Sequence, residues 1–319
     1  MAYSAEVISR ARARLAQAKA DRESENQHNL AVAYDRVPRL RQIDQQLRQT
    51  MAMAARAALS QGNAEVLMEQ AKQANLGLQR EREQLIAENF EEGYLDESPI
   101  CSRCGGSGYV GSQMCECLKE LCRQEQKKEL TLLHVGEGTF QQFRLDYYPE
   151  RDNIRAIMEK NFQNCRLYAR NFSLDAGNLL FSGDTGLGKT FLSACIARQV
   201  ADAGFSVVYE SAAHLFSKME RAKFSGDEQA QQEIRKYTKC DLLIVDDLGT
   251  EMGGQFTTSA LYTLINDRLL SGKPMIISTN LNTEDIERRY SPQIASRLRG
   301  SFRRVAFLGD DIRLKKNWG

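Results

Sequence analysis

The sequence has no long apolar run, no secretory leader and no excess of either charge. None of its apolar runs approaches the roughly 18 residues that a membrane-spanning helix needs. The first residues, MAYSAEVISRARARL, lack the apolar core of a signal peptide. Lys plus Arg number 43 against 42 Asp plus Glu, which leaves a formal net charge of +1. We therefore expect a cytoplasmic protein, not a membrane protein, in which any affinity for nucleic acid comes from a local basic patch.

The composition is that of an ordinary globular protein. Hydrophobic residues make up 42% and charged residues 27%, which excludes collagen-like and wholly disordered chains. At about 150 residues per domain, a chain of 319 residues predicts two domains with room for a small third module. Without an export signal, the eight cysteines are better explained as reduced thiols or metal ligands than as disulfides.

The N-terminal region, residues 1–95, has the composition of long exposed helices. Up to Asn89 it is rich in Ala, Gln, Arg, Glu and Leu, and Pro38 is its only proline. Two stripes follow helical spacing, one of Ile43, Leu47, Met51, Ala54 and Ala58 and one of Leu67, Ala71, Ala74, Leu78 and Leu85, with a turn at Gln61, Gly62 and Asn63. This pattern predicts a helical hairpin. Its stripes either pack on each other or leave one face for a partner protein.

A Gly- and Cys-rich module, residues 96–130, follows. Two close cysteine pairs, Cys101 with Cys104 and Cys115 with Cys117, offer the four soft ligands of a tetrahedral structural Zn²⁺ site. Alternatives remain: Cys122 or the distant His134 could replace one ligand, and the first pair alone could be a redox pair. The other cysteines, Cys165, Cys195 and Cys240, lie in apolar contexts that predict buried thiols.

Residues 131–319 alternate strand-like and helical segments. Strands are predicted at 178–182, 206–210, 242–245 and 275–279, and helices at 190–203, 212–224 and 258–270. Such alternation predicts an α/β domain, a parallel sheet covered by helices.

The strongest motif follows the first of these strands. The run Gly183, Asp184, Thr185, Gly186, Leu187, Gly188, Lys189 and Thr190 is a complete G-x-x-x-x-G-K-T. Glycines allow a tight turn whose backbone N–H groups surround phosphates at a helix N-terminus. Lys189 would reach the β- and γ-phosphates, and the Thr190 hydroxyl would bind Mg²⁺.

Polar side chains end two further strands. Asp246 and Asp247 follow the apolar run Leu242–Val245, at the sheet edge that carries the phosphate loop. We expect Asp246 to hold Mg²⁺, usually through water, and Asp247 to orient or deprotonate the attacking water. Asn280 follows the next strand, where an amide would position that water.

The local basic patch lies near the C-terminus. Between Arg297 and Lys316 there are seven basic residues against two acidic ones. A solvated surface, an arginine finger, γ-phosphate sensing and contacts to a nucleic-acid backbone all fit such a patch.

The ordered motifs GDTGLGKT, LLIVDDLGTE, IISTNL, SRLRG and GDDIRLKK resemble the ATPase domain of the AAA+ proteins of the DnaC/DnaI helicase-loader and IstB group, from about Thr139 onward. The resemblance implies an AAA+ P-loop core that binds ATP and Mg²⁺, with Asn280 as sensor 1 and Arg313 as the sensor 2 arginine. It makes Arg297 an arginine finger that acts on a neighbouring subunit's ATP, which implies a homo-oligomer.

Two departures from the wider AAA+ pattern shape these expectations. Asp247 stands where a Glu is common, so slow, switch-like hydrolysis is expected. Only six residues follow Arg313, which leaves no room for a C-terminal helical lid, as in the loader and IstB group.

The resemblance also implies contact with single-stranded DNA, for which Lys223, Phe224 and Phe256 are the candidates. The helical region and zinc module ahead of the ATPase resemble the DnaI-like layout, which implies an N-terminal region that binds the replicative DNA helicase. The sequence thus predicts an ATP-dependent helicase loader. The alternatives are an IstB-type transposition helper that acts with a transposase on duplex DNA, and a non-hydrolysing, nucleotide-gated adaptor.

Overall fold

The computed structural model describes residues 3–57, 64–132, 138–226 and 228–316. The chain divides into two compact units, one of Met1–Arg12 with Glu116–Gly319 and one of Ala13–Cys115. This division does not coincide with the predicted boundaries at residues 95 and 130. Helix α4 (Glu116–Leu132) belongs with the sheet because the amide of Gln126 bonds the backbone of Phe205 and Val207, at 2.9 and 3.0 Å. The three functional regions expected from the sequence remain a prediction.

Three helices make up most of the N-terminal region: α1 (Ala5–Arg36), α2 (Pro38–Ala57) and α3 (Ala64–Asn89). The helices α2 and α3 form the predicted hairpin, and ion pairs connect them. Arg39 donates two hydrogen bonds to Glu81, at 2.7 and 3.0 Å, and Arg82 donates one to Asp44 at 2.8 Å. The predicted turn at residues 61–63 and Ala58 lie outside the described residues.

A short antiparallel hairpin, β1 (Tyr109–Val110) with β2 (Gln113–Met114), lies in the cysteine-rich module. Four glycines around it, at positions 105, 106, 108 and 111, have φ values between 60° and 85°. Only glycine adopts this backbone conformation without strain, so the Gly-rich composition is what lets the chain turn tightly here.

The larger unit is built on a five-stranded parallel sheet. Its strands are β3 (Asn178–Ser182), β4 (Val207–Ser211), β5 (Leu242–Leu248), β6 (Met275–Thr279) and β7 (Phe302–Ala306), in the spatial order β4-β5-β6-β3-β7. Its helices after α4 are α5 (Ile154–Arg170), α6 (Lys189–Asp202), α7 (Ala212–Ser225), α8 (Glu228–Lys239), α9 (Gln255–Leu270), α10 (Thr283–Arg289), α11 (Pro292–Ser301) and α12 (Ile312–Lys316). This architecture confirms the predicted α/β fold class.

Two apolar clusters cover the two faces of this sheet. Successive strand residues point to opposite faces, so Leu179 and Phe181 pack in one cluster and Leu180 in the other. In the same way, Ile244 packs in the first cluster and Val245 in the second. Burial on both faces explains the uninterrupted apolar character of the central strands.

The predicted strands at 178–182 and 275–279 match β3 and β6, and the others differ by one to three residues at their ends. The sequence analysis missed β7, the edge strand beside β3. Arg303 and Arg304 of that strand are exposed, so its sequence resembles a basic surface segment rather than a buried strand. In the described part of the chain, no helix is both long and apolar enough to cross a membrane.

Candidate functional site

The phosphate-binding motif forms the loop between β3 and α6, as predicted. Gly183 and Gly188 have φ values of 148° and 91°. A Cβ at Gly183 would lie 2.3 Å from the carbonyl oxygen of Phe307, so this glycine is required sterically as well as conformationally. Asp184, Thr185 and Thr190 are exposed on the loop. The loop therefore presents its open side, with the helix N-terminus, to a ligand.

Leu187 anchors the phosphate loop to the core of the larger unit. Its side chain is buried, and its carbonyl accepts a hydrogen bond of 2.8 Å from the hydroxyl of Tyr148. Tyr148 precedes Leu187 by 39 residues and lies outside the motif, so the sequence analysis missed it. A polar contact between a loop and a distant segment leaves no local signal in a sequence.

Lys189 is buried, with 4% of its surface exposed. Its Nζ donates hydrogen bonds to the carbonyls of Gly183 and Asp184, both at 2.7 Å, and to Oδ1 of Asn280 at 2.5 Å. Burial lowers the pKa of Lys189, although Asp247 and Asp246 oppose that shift. These three acceptors are neutral oxygens, so a polyphosphate would bring an anionic acceptor into direct contact with this ammonium group.

Asp246 and Asp247 lie in a β-bulge. Val245 pairs with Ile277 and Leu248 pairs with Thr279, so the two aspartates together oppose the single residue Ser278. Asp247 has a φ of 55°, which interrupts the strand alternation and turns its side chain away from the direction that a regular strand would give it.

Ser278 closes this bulge from β6. Its hydroxyl donates to the carboxylate of Asp246 and accepts the backbone N–H of Asp247 at 2.9 Å. Ser278 is fully buried. The sequence analysis missed Ser278 because its role depends on strand pairing.

The two aspartates differ in their surroundings. Asp246 is buried, whereas Asp247 is half-buried. Burial raises the pKa of Asp247, and the neighbouring Asp246 adds to the effect. A carboxylate with a raised pKa is better suited to accept a proton. The oxygens of Thr190, Asp246 and Asp247 are the hard ligands that Mg²⁺ takes in proteins, so this donor set fits the expected cation.

Arg313 belongs to the same site. Its charge lowers the pKa of Asp247 and also that of Lys189. The chain just before it contacts the phosphate loop, because the N–H of Ile312 donates to the carbonyl of Gly186 at 3.0 Å. The structure thus brings Arg313 beside the predicted nucleotide site.

Arg297 has different neighbours. The half-buried guanidinium donates to Oδ1 of Asn266 and to the hydroxyl of Tyr262, the latter at 3.1 Å. It also lies over the Tyr262 ring, 4.8 Å from its centroid. Among the described residues, these contacts are with α9 and not with the phosphate loop. This position is compatible with a finger that acts on another subunit, and that role remains a prediction.

The three DNA-contact candidates lie together. The Nζ of Lys223 is 5.7 Å from the ring centroid of Phe224 and 5.3 Å from that of Phe256. The two rings are 6.1 Å apart, and Phe224 is 71% exposed. Phe256 is partly buried against the core and contacts both Phe224 and Lys223. An exposed ring beside a cation offers a surface for stacking a base next to its phosphate.

The four predicted zinc ligands also come together. The Sγ atoms of Cys101, Cys104, Cys115 and Cys117 all lie within 4.8 Å of one another. The Sγ atoms of Cys101 and Cys115 are 3.8 Å apart. A tetrahedral Zn²⁺ with Zn–S bonds of about 2.3 Å requires S···S distances of about 3.8 Å.

Two further observations favour this ligand set. The backbone N–H of Gly108 points at Sγ of Cys104 from 3.3 Å, an arrangement that stabilises a thiolate. Cys122 lies outside the described four-cysteine cluster, and burial raises the pKa of its thiol to about 11, which disfavours a thiolate there. Burial also raises the pKa of Cys165 and of Cys195, each to about 12, as expected for buried thiols. His134 lies outside the described residues.

The strand order, the phosphate loop after β3 and the two aspartates in β5 define a P-loop core with the AAA+ fold. The family model described as IstB-like ATP binding protein matches residues 153–314, just over half of the chain. The chain belongs to this family of IstB-like ATP-binding proteins.

Two curated relatives and one solved structure place the chain among known proteins. It is 24% identical over 153 residues to the replicative helicase loader DnaC of Escherichia coli K12, covering 48% of this chain and 59% of that protein. It is 34% identical over 108 residues to an ATP-binding protein in an insertion sequence of Mycobacterium tuberculosis, covering 34% and 42%. A crystal structure of the DnaC helicase loader superimposes with a TM-score of 0.48 at 17% identity, covering 55% of this chain and 99% of that one. The chain thus spans little more than half the length of the first relative and less of the second.

Proposed function

We propose that this protein is a Mg²⁺-dependent ATPase that loads the replicative DNA helicase onto single-stranded DNA in the cytoplasm. The observation that carries the ATPase proposal is the convergence of Lys189, Asn280 and the Asp246–Asp247 bulge at one end of the sheet. Phosphate contacts, a cation site and a candidate base thereby meet within one site.

Each of these residues has a distinct part in the proposed reaction. The phosphate-loop backbone and Lys189 would bind the β- and γ-phosphates, and Thr190 and Asp246 would hold Mg²⁺, which would supply charge neutralisation. Asn280 and Asp247 orient the attacking water, and Asp247 accepts its proton. Arg313 contributes positive charge from the same subunit, and Arg297 contributes it to the site of the next subunit in a homo-oligomer.

The relationship to DnaC supports the loader role, since that relative is a replicative helicase loader. The N-terminal helices and the cysteine module would hold the helicase, with Zn²⁺ as a structural ion bound by Cys101, Cys104, Cys115 and Cys117. The exposed group of Lys223, Phe224 and Phe256 would contact single-stranded DNA.

The test uses the full chain with a cleavable tag, incubated with lysate of the organism that encodes it, with and without ATP. Bound proteins are identified by mass spectrometry, and the purified candidate is then tested for assembly on single-stranded DNA. Recovery of a hexameric replicative helicase that assembles faster with this protein and ATP is expected. Recovery of a transposase in its place would contradict the loader proposal.

The similarity to an insertion-sequence protein favours a second function, in transposition. The relative with 34% identity is an ATP-binding protein of an insertion sequence. An IstB-type helper that acts with a transposase on duplex DNA would use the same ATPase residues. Recovery of a transposase in the experiment above supports this alternative.

A further inference from the structure

Tyr209 places its hydroxyl inside the larger unit, between the helix that follows the phosphate loop and the strand that carries the acids. The hydroxyl lies 2.7 Å from Oδ2 of Asp246 and 3.0 Å from Oγ of Ser193. Tyr209 is 8% exposed, Asp246 is 6% exposed and Ser193 is fully buried. The role proposed above for Asp246 does not by itself account for Tyr209 or Ser193.

The number of hydroxyl protons decides which group donates in each of these hydrogen bonds. Tyr209 has one hydroxyl proton, and the strongest acceptor within reach is the carboxylate of Asp246. A phenol is protonated at neutral pH, so the Tyr209 hydroxyl is the donor in this pair and the carboxylate is the acceptor. The phenolic oxygen is then free to accept the proton of Ser193.

Both oxygens of Asp246 are therefore held. Tyr209 donates to Oδ2 from β4, and Ser278 donates to Oδ1 from β6. Ser193 lies on α6 and has one hydroxyl proton for two acceptors, the oxygen of Tyr209 and the carbonyl oxygen of Thr190, each 3.0 Å away. Asp246 is thus oriented by side chains that do not touch the ion, and Ser193 contacts Tyr209 from the helix that carries Thr190.

We propose that Tyr209 is a positioning residue that sets the orientation of Asp246 toward Mg²⁺, with Ser193 as its support on α6. The inference rests on the proposed nucleotide site and adds a residue outside its motifs. Groups that hydrogen-bond a metal ligand fix its direction and basicity, and their loss typically lowers metal affinity by 10- to 100-fold. Without Tyr209, the carboxylate keeps one hydroxyl donor of two and can rotate about Cβ–Cγ.

The test is Tyr209→Phe in the full chain, which removes one oxygen atom and keeps the buried ring. Tyr237→Phe is the matched control. Tyr237 is likewise buried and donates to a buried carboxylate, that of Glu210 at 3.1 Å, but it packs in the cluster on the other face of the sheet. Ser193→Ala tests the support from α6.

The readout is the affinity for a non-hydrolysable ATP analogue with Mg²⁺ and with EDTA, measured by calorimetry together with the thermal unfolding midpoint. Tyr209→Phe is expected to lower the ratio of the two affinities by roughly tenfold while leaving the affinity in EDTA unchanged. Ser193→Ala is expected to give a smaller loss of the same ratio. Tyr237→Phe is expected to shift only the unfolding midpoint.

An unchanged ratio in Tyr209→Phe would overturn the inference, as would equal losses in Tyr209→Phe and Tyr237→Phe. A wild-type chain that binds no nucleotide would contradict the proposed ATPase function itself. The two failures are thus distinguishable.

Discussion

Lys189 and Asn280 are 91 positions apart in the sequence, and Nζ of the lysine lies 2.5 Å from Oδ1 of the asparagine. This contact joins the phosphate loop to the end of β6. It gives Lys189 a neutral acceptor. A γ-phosphate oxygen would replace or share that acceptor, so nucleotide binding would change the contact between the loop and the end of β6.

Replacement of Asn280 with Ala is expected to preserve ATP binding and to lower the rate of phosphate release by roughly 100-fold, as for other preorganised polar groups in active sites. Asn282→Ala is the control, because Asn282 lies in the same loop but caps α10 by accepting the N–H of Asp285 at 2.8 Å. Steady-state phosphate release checks both variants. Equal losses in the two variants would contradict the assigned role of Asn280.

Asp247→Asn is expected to abolish hydrolysis and to stabilise the nucleotide-free protein. The pKa of Asp247 is raised from its ordinary value of 3.8, so its contribution to the free energy of unfolding is fully present below that pH. The contribution is lost as pH rises through the raised pKa, and at neutral pH the ionised carboxylate destabilises the fold. A rise in Tm is expected at pH 7.5 and little change at pH 4. A lower Tm at pH 7.5 would contradict this electrostatic account.

Arg297→Ala is expected to preserve ATP binding, because the guanidinium contacts α9 in its own subunit. It is expected to lose phosphate release, because the arginine is proposed to act on the ATP of a neighbouring subunit. Mixing this variant with Lys189→Ala is expected to restore part of the activity, because a Lys189→Ala subunit supplies the arginine and an Arg297→Ala subunit supplies the nucleotide site. Phosphate release is followed across mixing ratios. No recovery at any ratio would contradict a finger that acts between subunits.

The purified full chain is expected to hold one Zn²⁺, measured by inductively coupled plasma mass spectrometry. Cys104→Ser is expected to lose most of this zinc, because Cys104 belongs to the four-cysteine cluster. Cys122→Ser serves as the control and is expected to retain it, because Cys122 is buried on α4. Equal zinc content in wild type and Cys104→Ser would show that the cluster is not the zinc site.

Phe224→Ala is expected to weaken binding of single-stranded DNA by roughly tenfold, the effect of losing one stacked base. The 71% exposure of Phe224 predicts little loss of stability. Leu270→Ala provides a matched control, since Leu270 is an apolar side chain with 88% exposure on α9. Fluorescence anisotropy with a labelled oligonucleotide compares the variants. Equal affinities of Phe224→Ala and wild type would remove this residue from the DNA interface.

The phosphate loop could be predicted from sequence because its signals are local. An apolar strand, glycines at positions of positive φ and a helix that begins at Lys189 occur within about 25 residues of one another. The cysteine cluster is equally local. Asp246 and Asp247 were predictable because they follow the uninterrupted apolar run 242–245 within the same strand.

The remaining features depend on pairing between distant segments. The bulge at Asp247 needs Ser278 on the neighbouring strand, and Tyr209 acquires a role only because β4 lies beside β5. Strand β7 escaped notice because it is an edge strand with Arg303 and Arg304 exposed. No local pattern marks such residues, since each is defined by what the fold places against it.

The proposed ATPase function is tested by phosphate release from ATP, measured for the full chain and for its Lys189→Ala and Asp247→Asn variants. The wild type is expected to show slow, Mg²⁺-dependent release, Lys189→Ala to lose nucleotide binding, and Asp247→Asn to bind ATP without releasing phosphate. A wild-type chain that binds ATP but releases no phosphate, with or without single-stranded DNA, would identify a nucleotide-gated adaptor and contradict the proposed ATPase function. Undiminished activity in Lys189→Ala would contradict the assignment of the site.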